Sequence, residues 1–227
     1  MLPRTLEPEV MDTLEEAVDY DSMDHSEVNR SFAENFLAAF APIIEGTDQT
    51  TPATVLDVGT GTARIPIEIC QRSERLRITA IDLSANMLQL AQRNVIEAGL
   101  TGRIRLEQTD AKRIAWPDHS FDAVISNSIV HHIPRPIEAM REMLRVLRPG
   151  GLWFVRDLLR PRDAELIASI LAKHAAGTNE QQRQLFEQSL HAALTLAEVG
   201  EILGSLGLSP ERVGQTSDRH WTICAVK

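Results

Sequence analysis

The chain has 227 residues, 43% of them hydrophobic, and a formal net charge of −9, which is enough for one well-buried core but little for two. Residues 1–30 hold nine acidic side chains against two arginines, so most of the negative charge lies there and the remainder is nearly neutral. An acidic chain without a basic stripe is repelled by phosphate backbones, which argues against nucleic acid as a partner and for a small molecule.

The opening MLPRTLEPEV lacks the basic and apolar segments of a signal peptide, and no apolar run approaches the ~20 residues that span a bilayer. Cys70 on an apolar helix face and Cys224 in a terminal strand pattern read as buried free thiols, not as a disulfide or metal site. These features predict a cytoplasmic protein with no membrane partner; they leave its oligomeric state open.

Residues 1–50 read as a helical cap or lid: an acidic stretch to Tyr20-Asp21, then Phe32, Phe36, Leu37 and Phe40 at helical spacing, ended by Pro42 and Gly46. Residues 51–227 read as the core of what is overall one domain. Thr54–Asp57 is a strand before a glycine turn, and Ile65–Cys70 a helix with Pro66 in its tolerant first turn. Further strands are predicted at Arg77–Asp82, Arg103–Thr109, Phe121–Ser126 and Leu152–Arg156. Between them lie a helix capped by Ser84 and stopped at Gly99, and another from Pro136 to Leu147 that stops at Pro149-Gly150-Gly151. Successive strand–helix units imply a doubly wound, mostly parallel α/β sheet. A helical insertion over about 158–208 follows, with helices at Asp163–Ala175 and Asn179–Leu190 and a third capped by Thr195 with Glu198. Strands at Glu211–Gln215 and His220–Val226 then form an antiparallel edge pair.

The strongest chemical signal is VLDVGTGTA, residues 55–63. A strand ends on Asp57, two places before a Gly59-x-Gly61 turn whose missing side chains let a ligand approach the backbone. Such turns also occur merely to pack helix on strand. A dinucleotide site is disfavoured, because the third glycine of its motif falls at Arg64 and Asp57 would face pyrophosphate. A carboxylate at this place suits a cationic ligand. Asp82 ends the next strand where ribose hydroxyls could be met, or where it could cap the Ser84 helix; Asp110 ends the third strand. Three acidic residues at successive strand ends line the sheet edge where ligands of such folds bind.

VLDVGTGTA, ITAIDLSANML, QTDA, FDAVISNSIVHHI and MREMLRVLRPGG together resemble the class I S-adenosylmethionine (SAM)-dependent methyltransferases. The nearer resemblance is to their ubiquinone/menaquinone-biosynthesis-like group of small-molecule enzymes, over roughly residues 20–160. The resemblance implies a seven-stranded sheet with an antiparallel last strand. It also implies that Asp57, Gly59, Thr60 and Gly61 border the methionine part of SAM, and that Asp82 binds ribose beside Leu83 and Met87. Asp110 and Ala111 would face adenine, and Asn127 and Ser128 the sulfonium end. Ala63 stands where a third glycine is common. Tyr20 is expected to close over the cofactor, while Asp21 and Asp24 read as solvated surface.

At the fourth strand end, His131 ranks ahead of His132 as a base for the methyl acceptor, and Asp157, 26 residues later, could orient it. Both histidines could equally cap the following helix. The expected activity is therefore SAM-dependent methyl transfer to a small molecule, O-methylation favoured, leaving S-adenosylhomocysteine. Alternatives are a SAM-binding protein with a non-methylating or regulatory role and a nicotinamide-dependent oxidoreductase. His191 reads as a buried structural histidine or an acceptor-pocket residue, and Arg156 is set aside because strand alternation turns it away from Asp157. His25, His131 and Asp157 match no metal motif, so no metal is predicted.

Overall fold

The computed structural model describes residues 2–9, 13–45 and 50–227. Its strands are β1 (Ala53–Val58), β2 (Leu76–Asp82), β3 (Ile104–Gln108), β4 (Phe121–Asn127), β5 (Leu147–Leu158), β6 (Val213–Gln215) and β7 (His220–Val226). They form one seven-stranded sheet in the order β3-β2-β1-β4-β5-β7-β6. β1 runs parallel to β2 and to β4, β2 runs parallel to β3, and β6 and β7 are antiparallel. The strand order reverses between β1 and β4, the switch point at which ligands of doubly wound sheets bind.

The helices are α1 (Leu14–Ser22), α2 (Ser26–Glu45), α3 (Arg64–Arg72), α4 (Ala85–Glu97), α5 (Pro136–Val146), α6 (Ala164–His174), α7 (Glu180–Ala192) and α8 (Leu196–Ser205). Their starts follow the caps expected of the sequence. The Ser84 hydroxyl accepts from the Met87 N–H, the Asp163 carboxylate from Leu166, and Asn179 with Gln182 and Thr195 with Glu198 form reciprocal capping boxes.

The chain divides into two compact units. One comprises residues 10–127, 138–155 and 224–227. In it α2 sets Phe32, Phe36 and Phe40 into the same core as Val55, Ile78 and Phe154, with the Phe32 and Phe154 rings edge to face at 5.1 Å. The other comprises residues 1–9, 128–137 and 156–223. Its core joins Leu158 to Ile167, Ile170 and Leu171 of α6 and Leu190 of α7, and Leu2 packs against it.

Several expectations need correction. Pro42 does not end its helix: α2 continues to Glu45 and buries Ile44 in the core, which offsets the hydrogen bond that proline forgoes. Gly46 lies outside the described residues. β5 begins at Leu147, so Pro149-Gly150-Gly151 lies within a strand and not after a helix; Gly150 and Gly151 exchange backbone bonds with Lys227. The predicted start of β6 at Glu211 is instead a 3-10 turn, Pro210–Arg212. Cys224 is free but exposed, because it falls on the outward face of β7, whereas Cys70 is buried. His191 is half-buried, and its carbonyl accepts from the Thr5 N–H. Among the described residues no helix is long and apolar enough to cross a membrane.

Candidate functional site

The turn after β1 owes its shape to two glycines in the left-handed region, Gly59 at φ 74° and Gly61 at φ 55°. Ala63 follows at φ 61°, which accounts for the glycine common there; a methyl group is the smallest side chain that can take that strain. The Gly59 and Thr60 N–H groups both donate to the Ile81 carbonyl, and the Gly61 N–H donates to Asp82 Oδ2 at 2.7 Å. Asp82 Oδ1 accepts from the Ser84 N–H at 2.9 Å. Asp82 thus locks the turn and the start of α4 together, as its capping alternative foresaw.

A cavity of about 380 Å³ opens beside this turn, lined by Tyr20, Asp57, Gly59, Thr60 and Asn127 among others. Two of its polar atoms, Asp57 Oδ2 and Asn127 Oδ1, are buried and have no hydrogen-bond partner. Burial pushes the Asp57 carboxyl up to about 7 against the opposing effect of the Thr60 hydroxyl, and the charge of Asp82 acts in the same direction as burial. Unsatisfied buried acceptors are costly, and two facing one cavity mark a place made for a donor or cation.

Tyr20 comes within ordinary contact of Gly61, its Cε1 3.7 Å from where a Cβ would stand. Asp21 is held by Arg64 at 2.9 Å and by Asn94 Nδ2 at 3.1 Å, so Arg64, at the third-glycine position of a dinucleotide motif, ties α3 to α1. Asp24 Oδ1 accepts from the Ser26 N–H at the start of α2.

Other predicted cofactor residues lie outside the cavity walls. Leu83 is exposed and Met87 buried beside Ala17. Asp110 bonds the Lys112 N–H and ammonium; burial raises its pKa, but those bonds outweigh it and hold the carboxyl below its ordinary value. Ala111 next to it is half-buried.

In the second compact unit, Ser128 at φ 56° turns the chain out of the sheet and a 3-10 turn, Val130–His132, follows. Asp157, fully buried in β5, accepts from the Leu158 and Val130 N–H groups, both at 2.6 Å. Its Oδ1 also lies 2.5 Å from His131 Nδ1. That contact puts the His131 proton on Nδ1 and leaves the Nε2 lone pair facing the other way. Burial alone would lower the His131 pKa; the Asp157 charge and hydrogen bond outweigh it and raise the pKa. His132 is pushed down to about 3, by burial first and then by the His131 charge, so its ring is neutral near pH 7.

Sequence reasoning missed a third partner, Glu7. Its Oε1 lies 3.5 Å from His131 Nε2 and 3.2 Å from His132 Nδ1, and its Oε2 accepts from Ser189 Oγ. Arg4 holds the segment in place, donating from Nε to the Ala192 carbonyl at 2.7 Å and from NH2 to those of His131 and Ile133 at 2.9 and 3.1 Å. The one available signal was Pro3 and Pro8, which stiffen an extended stretch around Glu7.

Residues 56–155 match the methyltransferase domain family. The chain is 36% identical over 111 residues to a demethylmenaquinone methyltransferase of Porphyromonas gingivalis, covering 48% of this chain and 45% of that protein. It is 30% identical over 175 residues to a 27-O-demethylrifamycin SV methyltransferase of Amycolatopsis mediterranei, covering 75% and 60%. The chain spans about half the length of the curated relatives it matches. A SAM-dependent methyltransferase of Aquifex aeolicus shares the fold, with a TM-score of 0.65 over 94% of this chain and 97% of that one at 21% identity.

Proposed function

We propose, starting from a core that is a class I SAM-dependent methyltransferase domain, that this protein moves a methyl group to a hydroxyl oxygen of a small molecule. One observation carries the reading: Asp57 Oδ2 and Asn127 Oδ1, buried without partners, face a cavity beside the glycine turn. A buried carboxylate suits the ammonium of the cofactor's amino acid end, whereas it would repel pyrophosphate. Bound SAM supplies a methyl carbon on a positively charged sulfur, open to in-line displacement.

The chain's own work is then alignment and exclusion of water. In this reading Asp57, Gly59, Thr60, Gly61 and Asn127 take the amino acid end, and Asp82 adds the ribose hydroxyls to the backbone donors it already holds. Leu83 and Met87 flank the ribose, and Asp110 and Ala111 meet adenine. Tyr20 on α1 is the closing side chain of the helical cap. His131, oriented by Asp157, receives the acceptor's proton. The relative matched over 75% of this chain, a 27-O-demethylrifamycin SV methyltransferase, supports oxygen as the acceptor atom.

The test is parallel calorimetric titration with SAM, S-adenosylhomocysteine and NADH. Micromolar binding of the first two and none of NADH is expected; binding of NADH alone would overturn the reading. His131→Ala should keep SAM affinity and lose at least ~100-fold in turnover on a hydroxylated acceptor. Unchanged turnover would remove His131 from the mechanism.

A further inference from the structure

We infer that Glu7, His131 and His132 form a site for one divalent transition-metal cation, zinc being the best fit. The inference rests on the acceptor-activating role given above to His131. It replaces direct proton uptake at Nε2 by ionisation of a hydroxyl held on the cation.

One ligand atom from each residue lies within 4.8 Å of the others. Zinc bonds to imidazole nitrogen and carboxylate oxygen of about 2.0–2.1 Å put tetrahedral ligand atoms about 3.3 Å apart. Glu7 Oε1 stands 3.2 Å from His132 Nδ1 and 3.5 Å from His131 Nε2, bracketing that edge. Yet this buried oxygen accepts no hydrogen bond. Three lone-pair atoms brought together without a proton bridging them form a vertex set that a cation completes.

His131 and Glu7 are anchored on the side away from the cluster, in the manner of metal ligands. His131 Nδ1 meets Asp157 Oδ1 at 2.5 Å, and Glu7 Oε2 accepts from Ser189. The His131 and His132 ring centroids are 4.2 Å apart, which suits two adjacent ligands of one ion. Two imidazoles and one carboxylate favour zinc, cobalt(II) or iron(II) over magnesium and calcium, which prefer all-oxygen shells. Three protein ligands leave the fourth tetrahedral position open. An alcohol oxygen held there would give up its proton to solvent water more readily, and the alkoxide left behind is what an oxygen nucleophile requires.

The experiment uses the full chain, stripped with chelator, dialysed against micromolar zinc chloride, and assayed by elemental mass spectrometry; cobalt(II) chloride serves as the optical probe. One equivalent of zinc per chain is expected, with cobalt absorption in the 500–650 nm region (roughly) typical of four-coordinate geometry. Glu7→Gln preserves shape, so it should fold as the parent does, and it should bind zinc at least ~100-fold more weakly. His174→Ala, a histidine outside the cluster, should bind as the parent does. Failure of the parent to retain zinc, or equal retention by Glu7→Gln, would overturn the site and leave His131 as the direct proton acceptor. Zinc binding without methyl transfer would uphold the site while refuting the proposed activity, so the two failures are distinguishable.

Discussion

Asp57 offers a pH signature at the scale of one residue. Its folded-state pKa of about 7 lies above the ordinary value, so its contribution to stability is whole below about pH 4 and is lost as pH rises through about 7. Holding an ammonium needs the opposite, ionised form. Affinity for SAM should therefore fall about tenfold for each pH unit below 7 and level off above it. Asp57→Asn should bind SAM more weakly and without that slope; calorimetric titration between about pH 5.5 and 8 measures both. The glycine turn and the acid two places before it were legible in the sequence because they are local, fixed by residues 55–63 and their neighbours. Glu7 was not, because it acquires meaning only from partners more than a hundred positions away.

At the scale of elements, the sheet is intolerant where strands and turns approach closely. A Cβ on Gly151 would stand 2.6 Å from Leu147 Cδ1 and 2.7 Å from the Asp122 carbonyl oxygen. Since the latter is backbone and cannot swing aside, Gly151→Ala should cost about 2 kcal/mol, read by urea unfolding. Thr195→Ala removes the hydroxyl half of the α8 capping box and should cost about 1 kcal/mol by the same measurement, a typical value for a lost cap. The caps at Ser84 and Thr195 were readable because each spans three or four residues. The course of β5 was not: Pro149-Gly150-Gly151 has the local look of a helix stop, and only its pairing with Lys227 makes it strand. Pro42 misled for a similar reason, since burial of Ile44 outweighed a local rule.

At the scale of the whole molecule, the alternation of strands and helices announced the doubly wound sheet, whereas the way residues 2–9 return to residues 131–134 and 189–192 had no trace in any pattern. Arg4 carries much of that return, so Arg4→Ala should free the segment. Limited proteolysis should then cleave within residues 2–9, where the parent resists; equal resistance would show that Leu2 packing alone suffices. The same bonds set a clock on biosynthesis. The Ala192 carbonyl and the Ser189 hydroxyl that fix Arg4 and Glu7 are translated more than 180 residues after them. During that interval the acidic segment has no seat, and at ribosomal speeds of roughly 5–20 residues per second the wait lasts on the order of ten seconds or more. The Glu7 carboxylate thus reaches its seat only after α7 has been made, so a chain cut short of α7 lacks what holds this cluster together however well its core has folded.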